Sequence, residues 1–204
     1  MSTERIQKLT EAEYLRLERA ADFKSEFFDG AMVATPVVSF PNNLAKANLC
    51  SLIGNQLDAT DCHVLSSTMR IKVEAIGFYA YPDILIVSGK PHLLDEEQDI
   101  LLNPMVIVEV TSPATWKYDR GAKFRRYQRI ETLKEYVLVA EDEPVCERFV
   151  RQSENSWTHE FFVGLEAELV LVSVEARVRL ADIYDGVEFP VPGSESEDCP
   201  HPGW

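Results

Sequence analysis

Apolar positions along the chain follow three rhythms. Continuous β-branched runs occur at 84–87, 105–110 and 136–140, bounded by Pro, Ser and turn residues. Such runs read as buried strands, apolar on both faces, so helices are expected to cover the sheet on both sides. Helical spacing governs Leu44, Leu49, Leu52, Ile53 and Leu57, which predicts a helix over about 42–57 after a loop at 36–41. The capping-box pattern Thr10-Glu11-Ala12-Glu13 predicts a first helix to about Ala21. Asp29-Gly30, between two β-forming runs, predicts a hairpin. Segments 63–67 and 69–73 carry β-formers and are expected to join the central strands in a meander. The Asp- and Glu-rich stretch 88–103 reads as a loop with a short helix or turn, its acids facing solvent. A hairpin-like region over 145–152 and 158–163, edge structure at 168–173 and 176–180, and a helical turn at 181–184 follow. From Val191 the apolar pattern stops, which predicts one domain over 1–190 and a disordered tail over 191–204.

Two carboxylates interrupt the central runs: Asp83 in Tyr81-Pro82-Asp83-Ile84-Leu85-Ile86-Val87, and Glu109 in Met105-Val106-Ile107-Val108-Glu109-Val110-Thr111-Ser112-Pro113. A bare carboxylate buried there costs several kcal/mol unless a cation or hydrogen bonds compensate. The stretch 119–129 supplies a candidate: it reads as a helix capped by Asp119 with Lys123 about one turn in, and the short link 112–118 returns it to the end of the Glu109 strand. Period-2 geometry puts Asp83, Leu85 and Val87 on one strand face and Met105, Ile107 and Glu109 on one face of the other. Paired in register, both carboxylates point the same way. With a backbone carbonyl, most naturally that of Val110, and several waters they suit Mg²⁺ or Mn²⁺, which takes hard oxygen ligands. Lys123 would add fixed positive charge where a phosphodiester reacts. The same Asp83, Glu109 and Lys123 also read as a buried ion-paired triad without turnover. Tyr127, one turn beyond Lys123, reads as packing.

Charge complicates a nucleic-acid role. With 34 acidic against 20 basic residues the formal charge is −14, whereas affinity for phosphate backbones comes mainly from Lys and Arg. The basic residues do cluster: Lys117, Arg120, Lys123, Arg125, Arg126 and Arg129 lie in one short stretch, read either as a binding surface or as a solvated helix face. Four cysteines without CxxC or framework spacing, and no leader-like start, suit a reducing cytoplasm. No apolar run approaches the roughly 20 residues that span a bilayer. Cys199 and His201, isolated in the tail, do not make a metal site.

Pro82-Asp83, then Glu109-Val110-Thr111-Ser112-Pro113-Ala114-Thr115, then Tyr118-Asp119-Arg120-Gly121-Ala122-Lys123, then Glu135-Tyr136-Val137-Leu138-Val139, in that order and spacing, resemble the restriction endonuclease family abundant in cyanobacteria, within the PD-(D/E)XK nuclease superfamily. The resemblance covers roughly residues 10–189. It implies an α/β fold with a restriction endonuclease-like core, a central mixed sheet flanked by helices, and metal-dependent cleavage of DNA, with a homodimer plausible because double-strand cleavage pairs two sites. It further implies an auxiliary acid at Glu26, read otherwise as an exposed strand glutamate. The superfamily's usual lysine lies two residues after the strand acid, where this chain has Thr111, so Lys123 is implied to substitute from the helix. A histidine often opens the second helix in the family; this chain has Asn42 or Asn43. Two other functional classes remain: a non-catalytic binding or assembly module, which the net acidity favours, and a hydrolase of another phosphoester. No zinc-finger or helix-turn-helix spacing is visible.

Overall fold

A computed structural model describes residues 8–189; the tail expected at 191–204, with Cys199 and His201, lies outside the described residues. The centre is a six-stranded sheet built from β3 (Cys62–Ser66), β6 (Ile84–Ser88), β8 (Val106–Thr111), β9 (Glu135–Ala140), β10 (Val145–Ser153) and β11 (Ser156–Val163), in the order β11-β10-β9-β8-β6-β3. The β8–β9 pair is parallel and the others are antiparallel, so the sheet is mixed. Strands β8 and β9 are buried along their whole length, as their continuous apolar runs require.

One face is covered by α2 (Phe40–Leu57). Ala45, Leu49, Ile53 and Leu57, four residues apart, form a single stripe against Ile84, Ile86, Val106, Val108 and Val137. Burial of each large aliphatic side chain there contributes about 1.5–3 kcal/mol. Ser39 caps the helix by accepting the Asn42 N–H at 3.2 Å, and Pro41 sits in the first turn, so the helix starts two residues before the sequence expectation. The two-stranded β12 (Glu168–Leu171) and β13 (Ala176–Arg179), with α5 (Leu180–Ile183), complete that layer.

The other face is covered differently from expectation. The short helical segments α3 (Trp116–Tyr118) and α4 (Phe124–Tyr127) share it with a second sheet. That sheet has the order β2-β1-β5-β4-β7 and comprises β1 (Ser25–Phe28), β2 (Ala31–Ala34), β4 (Arg70–Val73), β5 (Phe78–Ala80) and β7 (Ile100–Leu101). The expected meander is therefore split. Segment 63–67 joins the central sheet through β6, whereas β4 leaves for the second sheet. The chain crosses between sheets at Tyr81-Pro82, where proline has no N–H for a ladder. The acidic stretch 88–103 is mostly loop with a turn at Glu96-Glu97 and most of its acids exposed, as expected, but it adds the two-residue β7, and Asp95 and Asp99 clamp Arg19 at 2.7 and 2.8 Å.

The N-terminal elements follow the sequence reading closely. Thr10 and Glu13 form a reciprocal capping box on α1 (Glu11–Ala20). Asp29 and Gly30 both take positive φ, 49° and 79°, the geometry a two-residue hairpin turn needs. Tyr14 of α1 stacks on Phe27 at 4.7 Å and donates to the Ser25 carbonyl at 2.8 Å. Ser25 and Phe27 are thereby fixed inward toward α1, and Glu26 and Phe28 are left on the opposite face.

Candidate active site

The β6–β8 register brings the two strand acids together. Ile84 pairs with Val108, Leu85 with Ile107 and Ile86 with Val106, so Asp83, one residue before β6, falls opposite Glu109. Asp83 Oδ2 accepts the Val110 N–H at 2.8 Å, and Oδ1 lies 2.7 Å from Lys46 Nζ. Glu109 is only 4% exposed. Its Oε1 accepts from the Tyr127 hydroxyl at 2.9 Å and lies 3.0 Å from Lys123 Nζ. Tyr127 is thus more than packing, although its ring does fill the core against Phe78 and Tyr136.

Lys123 arrives by a different route from the expected one. Helical structure begins at Trp116, and Asp119 opens a π-helical segment (Asp119–Lys123) instead of capping a helix. The wider turn, a feature frequent at functional sites, carries Asp119 and Lys123 inward together. Lys123 Nζ is 3.0 Å from Glu109, 3.1 Å from Glu26 Oε1 and 3.5 Å from Asp119 Oδ1, so its three donors each face a carboxylate. Glu26 points into this cluster and not outward, and its other oxygen accepts from the Tyr118 hydroxyl. Arg126 donates to Tyr118 at 2.8 Å and stacks 4.1 Å from the Phe28 ring centroid. The basic stretch is therefore divided: Lys117, Arg120, Arg125 and Arg129 are exposed, while Lys123 is buried. Thr111, where a lysine was expected from the superfamily pattern, bonds locally to Thr115 at 3.0 Å.

Lys46 escaped sequence reasoning, and of the two residues at the family's helix-opening position, Asn42 or Asn43, it is Asn42 that enters the site. Asn42 donates through Nδ2 to the Val110 carbonyl at 2.8 Å and to Glu141 Oε2 at 2.8 Å. Lys46 sits one turn further along α2. Their spacing placed both beside the apolar stripe, but only the tertiary approach of α2 to β8 reveals the contacts. Around these groups lies an open cleft of about 740 Å³. Its outer wall is apolar and exposed, with Val33 64% and Val37 fully exposed.

Burial pushes the Glu109 carboxyl up; the Lys123 ammonium pulls it back, but Asp83 and Asp119 add to the rise, and it reaches about 8. Burial alone would lower Lys123, yet Glu109, Tyr127, Glu26 and Asp119 hold it well above the ordinary lysine value. In the cluster, the carboxylates of Asp83, Glu109, Glu26 and Asp119 face the ammonium groups of Lys46 and Lys123. Lys24 also acts on Asp83 and Lys46, and Arg126 and Glu141 line the same cleft, so a divalent cation would compete there with ammonium groups and with the proton of the raised Glu109 carboxyl. Among the described residues no three His, Cys, Asp or Glu side chains lie close enough to hold a metal by themselves. A cation would therefore use Asp83, Glu109, the Val110 carbonyl and water, a hard-oxygen set that fits Mg²⁺ or Mn²⁺. Among the described residues no helix is long and apolar enough to cross a membrane.

Comparison with known proteins agrees with this architecture. Residues 11–181 match the Uma2 family, described as "Putative restriction endonuclease". Two uncharacterized proteins of Synechocystis sp. (strain ATCC 27184 / PCC 6803 / Kazusa) are similar. One, sll1609, is 30% identical over 161 residues, covering 79% of this chain and 91% of its own. The other, slr1290, is 29% identical over 184 residues, covering 89% and 94%. A crystal structure from Anabaena variabilis ATCC 29413, titled a "putative nuclease belonging to DUF820", superposes with a TM-score of 0.72 over 88% of this chain and 99% of that one. At 16% identity that likeness speaks to the fold. With the family match spanning most of its length, the chain belongs to the Uma2 family.

Proposed function

We propose that the cleft is the active site of a divalent-metal-dependent endonuclease that hydrolyses DNA phosphodiester bonds. Asp83, Glu109 and the Val110 carbonyl would hold Mg²⁺ or Mn²⁺, Lys123 is the catalytic cation, and Glu26 is an auxiliary group that orients it. The observation carrying this reading is the convergence of Asp83, Glu109, Glu26 and Asp119 on Lys46 and Lys123 at the floor of an open cleft, the carboxylates drawn from two neighbouring strands, a hairpin and a helix. A bound divalent ion supplies a water of lowered pKa and a Lewis acid for the phosphodiester. The chain's own residues do the rest. Lys123, braced by three carboxylates, presents a charge that needs no reorganisation as negative charge develops on phosphate. Arg126, over the Phe28 ring, adds a planar donor set at the cleft wall that suits a phosphate. A homodimer would set two such clefts on opposite strands.

The test is cleavage of plasmid, linear and single-stranded DNA, RNA and a small phosphodiester at low salt with Mn²⁺, since an acidic protein binds polyanions weakly at higher salt. Wild type should cut DNA and Glu109→Gln should not. Turnover of the small diester alone would move the assignment to another phosphoester. A second reading, a non-catalytic binding module, is favoured by one specific contact: Asn42 already donates to the Val110 carbonyl that a metal would use. Wild-type inactivity on every substrate would select it.

A further inference from the structure

We infer that Lys46 is a resident counter-ion of the site, seated on Asp83 where a divalent cation would bind, so that the ion enters by displacing its ammonium. The inference rests on the assignment of Asp83 and Glu109 as metal ligands made above. The Lys46–Asp83 pair is not a surface salt bridge: the two side chains are 14% and 13% exposed, at 2.7 Å, and both line the cleft. The second Asp83 oxygen is taken by the Val110 N–H, so Lys46 stands on the freer one.

The two lysines of the site are unequal. Lys123 meets three carboxylates and is locked among them, whereas among the described residues Lys46 meets Asp83 alone. A single contact at the end of a flexible four-carbon stem is the one that yields to a competing cation. Lys46 lies one helical turn beyond Asn42, which holds the Val110 carbonyl. The same face of α2 thus engages two of the three protein donors expected to serve a metal. Its chemistry is that of an internal competitor, which keeps Asp83 neutralised in the metal-free protein and weakens metal binding.

Calorimetric titration with Mn²⁺ tests this on wild type, Lys46→Met, Lys46→Arg and Glu109→Gln. Lys46→Met should bind Mn²⁺ roughly tenfold more tightly than wild type, the lower end of what groups around a metal contribute. Lys46→Arg, which keeps the charge, should bind as weakly as wild type. Without metal, Lys46→Met should melt below wild type, and Mn²⁺ should raise its melting temperature by more than it raises that of wild type. Should Lys46→Met not fold, Lys46→Gln, polar but uncharged, gives the same comparison. An unchanged or weaker affinity in the uncharged variant, with binding lost in Glu109→Gln, overturns the inference and leaves the metal assignment standing. No binding by any of the proteins overturns both.

Discussion

Two charge clusters in this molecule are built differently. In the clamp between α1 and the 88–103 stretch, Arg19 and Arg70 meet Asp95 and Asp99, two charges against two, at side chains mostly about a third exposed. In the cleft, the salt bridges among the described residues join Asp83, Glu109, Glu26 and Asp119 to Lys46 and Lys123, and most of these groups are nearly buried. A balanced, hydrated cluster fastens two segments together at little cost. A dehydrated one is expensive to hold, because each charge gives up its hydration and recovers it only through its partners. The contrast separates charge that fastens the fold from charge held, at a cost, at the floor of a cleft.

The largest expected effect is at Lys123. Lys123→Ala should lower the cleavage rate by about 10²-fold or more, as for loss of one preorganised charged group, while leaving Mn²⁺ able to bind. It should also destabilise the metal-free protein by about 3–5 kcal/mol in urea melts, because three buried carboxylates lose their partner. A rate equal to wild type would remove Lys123 from the chemistry and return attention to Glu26.

Tyr127→Phe comes next. It deletes the donor to Glu109 but keeps the ring, and should cost about 1.5–3 kcal/mol, as for a hydrogen bond to a charged group. Chemical denaturation with and without Mn²⁺ is the measurement. If the loss were the same in both conditions, Tyr127 would be supporting the core and not the carboxylate.

Arg19→Ala should cost about 1 kcal/mol or less and leave Mn²⁺ affinity untouched, since its pairs are half-hydrated and distant from the cleft. The smallest effect is its pH dependence. Hydrogen bonding from Arg19 holds the Asp99 carboxyl below its ordinary value of 3.8. A folded pKa depressed in this way stabilises above the unfolded value and loses that contribution as pH falls through the folded one. The difference between Arg19→Ala and wild type should therefore be present at pH 7 and shrink toward pH 2. A difference constant with pH would mean the clamp acts through packing of the arginine stem.

Much of this was legible in the chain. The capping box at Thr10, the hairpin at Asp29-Gly30 and the strands carrying Asp83 and Glu109 depend on neighbours a few residues away, and their physics is local. Convergence of Asp83 and Glu109 followed from strand alternation plus one assumption about register, which the β6–β8 pairing meets. What stayed hidden depends on elements far apart in sequence. The departure of β4 to a second sheet hinges on how the chain turns at Pro82, and the π turn at Asp119 has no periodic signature.

The sequence by itself determined which residues would be too costly to bury alone: carboxylates in apolar strands must find partners wherever the chain leads. Only the tertiary structure decided who those partners are. Lys46 and Asn42 stand 37 and 68 residues from Asp83 and Val110, by their numbers in the chain, and reach them because the apolar stripe of α2 packs on the central sheet. Hydrophobic burial is non-directional and sets that approach, whereas an ion pair is resolved only within a few ångströms, so the pairing is fixed last and by packing.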